Sequence, residues 1–93
     1  MPKVGQICGI VFHIFNEMGA PHHLKHVMVT YGDDSANFDI ETGRLLSGNL
    51  KPSQMRKVRK ILSKEYNKNE LLKRWDFLNQ ENVQEACRPI QFQ

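Results

Sequence analysis

Residues 36–62 read ANFDIETGRLLSGNLKPSQMRKVRKIL, and the fold turns on a change of rhythm inside them. Ala36, Phe38 and Ile40 alternate with Asn37 and Asp39, the period-two pattern of a strand with one buried and one wet face. Glu41-Thr42-Gly43 reads as a turn, with Gly43 where a left-handed residue is wanted, and Arg44 to Gly48 returns as a further strand. Beyond Pro52 the period changes. Met55, Val58, Ile61, Leu62 and Tyr66 fall three and four apart, the single apolar stripe of an amphipathic helix. Proline suits the first turn of such a helix, and Ser53 is an alternative cap.

The flanks extend both patterns. Upstream, Ile7 to Phe15 reads as one strand, in which Ile10, Phe12 and Ile14 alternate with Val11, His13 and Phe15. Asn16 to Pro21 reads as a loop, and Val27 to Tyr31 as a second strand closed by Gly32-Asp33-Asp34. Downstream, the polar run Asn67 to Glu70 breaks or restarts the helix, and Leu71, Leu72, Trp75 and Leu78 make a second stripe. Their helical spacing puts Tyr66 and Trp75 in the core. Pro89 ends the helical part, and Ile90 and Phe92 suit a short edge strand. Short turns force antiparallel neighbours, and a one-faced sheet and one-striped helices must cover each other. The expectation is an α+β fold, an antiparallel β-meander of three to four strands over residues 7–50. It packs against two C-terminal helices between Pro52 and Asn79, with residues 1–93 forming one domain.

Composition narrows the class. A 93-residue chain with 40% apolar and 25% charged residues has material for one core and is too apolar for a disordered chain. Its longest apolar stretch, Ile7 to Phe15, is interrupted by Gly9 and His13 and is too short to span a bilayer. Met1-Pro2-Lys3 leads into no signal-peptide core, so the expected location is the cytoplasm, with no membrane partner. There Cys8 and Cys87 read as free thiols buried as small hydrophobes. The net charge of +3 favours an acidic partner.

Two groups of residues could carry function. All four histidines, His13, His22, His23 and His26, lie within fourteen residues. Imidazole moves protons near neutral pH, so His22, His23 and His26, with Tyr31, are the catalytic candidates. No cysteine or paired carboxylate completes a ligand set around them, so neither a metal nor any other cofactor is expected, and folding should need no metal. The second group is basic. Lys51, Arg56, Lys57, Arg59, Lys60 and Lys64 occur with no acid before Glu65. Arg56, Lys60 and Lys64 recur every four residues and predict one exposed ridge opposite the apolar stripe. Arg56, Lys57, Lys60 and Lys64 are therefore the candidates for binding nucleic acid or an acidic partner, because such a ridge neutralises phosphates without reading sequence. The chain lacks a phosphate-binding glycine loop, a Ser-His-Asp order, a Cys-His pairing and zinc-finger spacing, so no recognisable catalytic motif marks it as an enzyme.

Several stretches, taken in order, carry a resemblance. They are Met1-Pro2, Gly9-Ile10-Val11, the run His22-His23-Leu24-Lys25-His26-Val27-Met28 with Tyr31, Ile40-Glu41-Thr42-Gly43, Gly48-Asn49-Leu50 with Pro52, and Glu70-Leu71-Leu72 with Trp75. Together they resemble a bacterial domain-of-unknown-function family, number forty-one-sixty, with its His-His-Leu-Pro-His-x-His signature. Here Lys25 stands for the usual proline and Met28 for the last histidine, and Lys51 looks inserted before Pro52. The family has no established activity. The resemblance implies association with small partner proteins in toxin–antitoxin-like arrangements.

Three functional expectations stay open on these residues. The leading one is a toxin–antitoxin-like binding module that docks a cognate small protein and offers nucleic acid a basic helix. The second is a small RNA-cleaving toxin using His/Tyr acid–base chemistry. The third is a phage- or host-encoded inhibitor acting by protein interaction. The sequence sets no oligomeric state.

Overall fold

The computed structural model describes residues 3–14 and 24–93. Five strands, β1 (Lys3–Ile7), β2 (Ile10–His13), β3 (His26–Tyr31), β4 (Asp34–Asp39) and β5 (Leu45–Asn49), precede three helices, α1 (Pro52–Ser63), α2 (Glu65–Asn79) and α3 (Val83–Ala86). The strands lie in chain order in one wholly antiparallel sheet. The α+β class and the meander are as expected, and no described helix precedes residue 50, but the sheet has five strands and not three or four.

The additional strand comes from a turn that interrupts the Ile7–Phe15 run. Cys8 and Gly9 both take positive φ, 52° and 80°, and Ile7 pairs directly with Ile10. That two-residue hairpin needs two left-handed residues in succession, and Cys-Gly fills the place usually held by Asn-Gly. Cys8 is consequently exposed at the hairpin tip and Cys87 half-buried, so neither is the buried small hydrophobe that was expected. A similar two-residue turn with Gly32 joins β3 to β4. A bulge at Leu46 between the pairs Phe38–Leu45 and Asn37–Ser47 leaves that leucine 39% exposed.

One sheet face carries the core, with Ile10, Phe12, Ile14, Val27, Val29, Ala36, Phe38 and Ile40 all buried. The helices add Val58, Ile61, Leu62, Leu71 and Leu78 to it. On the other face Val11, His13, Met28, Thr30, Ser35 and Asn37 stay partly or fully exposed, the wet side of the alternation.

α1 begins one residue before Ser53, with Pro52 in its first turn. Lys51 is the N-cap residue and Ser53 is not, and Gln54 Oε1 accepts the Lys51 backbone N–H at 2.8 Å. The break between α1 and α2 falls at Lys64, three residues earlier than Asn67–Glu70 predicts. Asn67 sits fully buried inside α2. Its Nδ2 donates to the carbonyls of Ile61 (2.9 Å) and Gln93 (3.0 Å), and its Oδ1 accepts the Gln93 N–H (2.9 Å). The early break turns Tyr66 outward to 39% exposure, so it is not a core residue, whereas Trp75 packs partly buried against the core.

Asn82 caps α3 by accepting the Glu85 N–H. The chain end is extended beside β1 without forming a regular strand. Ile90 N–H donates to the Val4 carbonyl at 2.9 Å, and the Phe92 ring lies over Gly5 and 4.6 Å from the Phe12 ring. No helix among the described residues is long and apolar enough to cross a membrane.

Candidate nucleic-acid interface

The sheet holds the buried stripe of α1 against it and so turns the opposite face of α1 to solvent. Arg56, Lys57, Arg59 and Lys60 are all exposed there. Lys64 is exposed as well, but it lies at the corner between α1 and α2 with φ −79° and ψ 126°, so the helical ridge itself ends at Lys60. Among the described residues, no carboxylate pairs with any of these cations. The described ion pairs lie on other elements: Lys25 with Asp76, Lys73 and Arg74 with Glu70, and Arg88 with Glu85. Arg56, Lys57, Arg59 and Lys60 thus present unneutralised charge on the exposed side of α1.

The surface is wider than the helix. On one flank Lys57 Nζ donates to the Tyr31 hydroxyl at 3.3 Å and stands 5.7 Å from the ring centroid, a cation–π geometry. Tyr31, a catalytic candidate in the sequence, therefore belongs to the basic surface. On the other flank Arg59 and Ser63 of α1, Thr42, Gly43 and Arg44 of the β4–β5 turn, and Lys68 of α2 line a cleft of about 470 Å³. Arg44 was missed in the sequence because it stands isolated in the chain, and Lys68 because the acid-free cation run ends at Glu65, although Lys68 follows Lys64 by four residues. The signals were a cation directly after the Gly43 turn and the continuation of the four-residue spacing from Lys64 to Lys68.

Among the described residues, His26 is not assembled with Tyr31. His26 opens β3 and Tyr31 closes it, so five strand steps, roughly 17 Å, separate them. His26 is buried, its Nδ1–H donating to the Leu24 carbonyl at 3.0 Å and its ring 5.1 Å from that of Trp75. His22 and His23 lie outside the described residues. His13 sits on the sheet face away from the core, with Nε2 3.5 Å from the Thr30 hydroxyl. Its Nδ1 is buried without a hydrogen-bond partner among the described residues. Burial, and then nearby positive charge that includes Lys3, lowers its pKa below 6.5. No group of three His, Cys, Asp or Glu residues suited to a metal occurs among the described residues.

Fold and surface together define a small antiparallel-meander domain with a cationic helix laid across it. The chain belongs to the family described as domain of unknown function DUF4160, whose model matches residues 9–76. The match runs from the β1–β2 turn through all of α1 to Asp76 of α2, and so includes the basic helix. No curated protein and no solved structure matched the chain.

Proposed function

We propose that this domain is the binding member of a toxin–antitoxin-like pair and lays α1 along the phosphate backbone of nucleic acid. The observation that carries the reading is the exposed, acid-free row Arg56, Lys57, Arg59 and Lys60 on one helix. Cations so arranged bind phosphates by releasing counterions and read no base, so affinity is expected without sequence preference. The cognate small protein comes from the family resemblance and is to be sought in a neighbouring gene.

The test is fluorescence anisotropy on labelled duplex DNA and single-stranded RNA across a salt series. If those four cations each meet a phosphate, affinity falls about 50- to 150-fold between 50 and 200 mM salt. A triple Arg56→Glu, Lys57→Glu, Lys60→Glu variant should stay folded, since exposed substitutions usually cost within about 0.5 kcal/mol. It should lose both the binding and most of the salt slope. A folded variant that binds as wild type does would sink the proposal. For the RNA-cleaving alternative, His26 and Tyr31 stand too far apart to act together on one scissile phosphate, and its other two histidines, His22 and His23, lie outside the described residues.

A further inference from the structure

The cleft at the flank of α1 differs in kind from the ridge. Arg56, Lys57 and Lys60 line no such cleft, whereas Arg59, which the ridge shares with it, meets Arg44 and Lys68 around one concavity formed by a turn and two helices. None of the three has a carboxylate partner among the described residues, and no acid lines the cleft. Asp39 lies at the base of the same turn, but its Oδ1 is occupied by the N–H groups of Glu41 (2.8 Å) and Thr42 (3.2 Å). Those bonds, with Gly43 N–H to the Asp39 carbonyl at 2.8 Å, hold the turn in shape and fix where Arg44 starts. The Thr42 hydroxyl oxygen accepts the Arg44 N–H at 3.2 Å, leaving its own hydrogen to donate. The Ser63 hydroxyl already donates to the Lys60 carbonyl at 2.7 Å, so it can only accept. The donors on offer are therefore two guanidinium groups, one ammonium and one hydroxyl.

Three positive charges around one small concavity match a dianion better than a singly charged phosphodiester. A phosphate monoester carries close to two charges near neutral pH, and guanidinium forks fit its oxygens in pairs. We infer that this cleft holds the terminal phosphate of a nucleic-acid strand whose diester backbone runs along α1. The inference rests on the proposed nucleic-acid reading for its occupant, but not for the phosphate site itself.

Two measurements keep these apart. In the first, inorganic phosphate is titrated into the isotope-labelled domain at constant ionic strength and followed by amide NMR. Saturable shifts at Gly43, Arg44, Ser63 and Lys68, absent with chloride, are expected, and they should disappear in Arg59→Ala. No saturable shift, or shifts spread evenly along α1, overturns the site. In the second, a 5′-phosphorylated oligonucleotide is compared with its 5′-hydroxyl twin. The phosphorylated strand should bind about tenfold tighter, and Lys68→Ala should bring the two to equal affinity. Equal affinities for the wild-type domain overturn the terminal-phosphate assignment. So does a phosphoserine peptide of neutral sequence that binds better than either strand. If phosphate shifts the cleft amides and neither strand binds, the nucleic-acid reading fails while the phosphate site stands.

Discussion

Replacing Asn67 by alanine probes the joint that sets α1 against α2 and the chain end. The amide is fully buried and makes three hydrogen bonds, to the Ile61 carbonyl and to both backbone groups of Gln93. At a net value of about 1 kcal/mol each, their loss costs about 3 kcal/mol. Two effects reduce the figure. Alanine is the better helix former by roughly 0.5 kcal/mol, and the Ile61 carbonyl keeps the Lys64 N–H at 3.3 Å. About 2 kcal/mol should remain, a drop of roughly 8–15 °C in melting temperature for a domain of this size. Urea unfolding followed by Trp75 fluorescence should show the midpoint falling by about 1 M with the slope unchanged. The control is Asn69→Ala, the same chemistry two residues further along α2, where the side chain is exposed. If the two variants agree within about 0.5 kcal/mol, the Asn67 bonds contribute nothing and the argument for the joint is wrong.

Three other expectations follow from single residues. Gly48 has φ +80°, and a methyl there would sit 2.5 Å from the Ser35 carbonyl oxygen and 2.7 Å from the Ala36 Cα; thermal unfolding of Gly48→Ala should show a cost of about 2–4 kcal/mol. Cys8→Asn places the preferred left-handed residue at the β1–β2 tip and should stabilise by about 0.5 kcal/mol in the same assay. Because burial lowers the His13 pKa from 6.5, the unfolded chain binds the proton more readily than the folded one. Its contribution is full above pH 6.5 and is lost as pH falls through the lowered value, so wild type should lose stability more steeply than His13→Gln over that range.

Periodicity exposed the layers, because a strand with one wet face and a helix with one dry stripe leave unlike marks on the chain. Ala36, Phe38 and Ile40 are buried as their alternation requires, and so are Val58, Ile61 and Leu62. Breaks inside a periodic run left weaker marks. Cys8-Gly9 falls near the start of the run, and the alternation of Ile10, Phe12 and Ile14 begins only after it. The hairpin sets Ile7 opposite Ile10, a change of parity that the single residue Ile7 was too little to reveal. At Ser63-Lys64 the chain turns a corner with no proline or glycine to announce it. Its geometry depends on Asn67 reaching across to Ile61 and Gln93, a bond set by tertiary contact and invisible to local pattern.

Sites assembled across the chain were legible only in part, for the same reason. Arg56 and Lys60 are neighbours on one helix and can be read from spacing alone. Arg44, Lys68 and Tyr31 join that surface only after the sheet and both helices have packed. This assembly also bears on which chemistry suits the fold. Acid–base catalysis needs its groups within hydrogen-bond reach of one reacting atom, and β3 holds His26 and Tyr31 at opposite ends. The Trp75 ring and the Leu24 carbonyl further fix His26 in a buried position. Binding a phosphate backbone asks only for charge spread along a rigid element, and it tolerates shifts of an ångström that would end catalysis. A helix clamped at its far end by Asn67, with cations on its exposed face and flanks, satisfies that weaker demand. The proposed binding therefore rests on the placement of these cations.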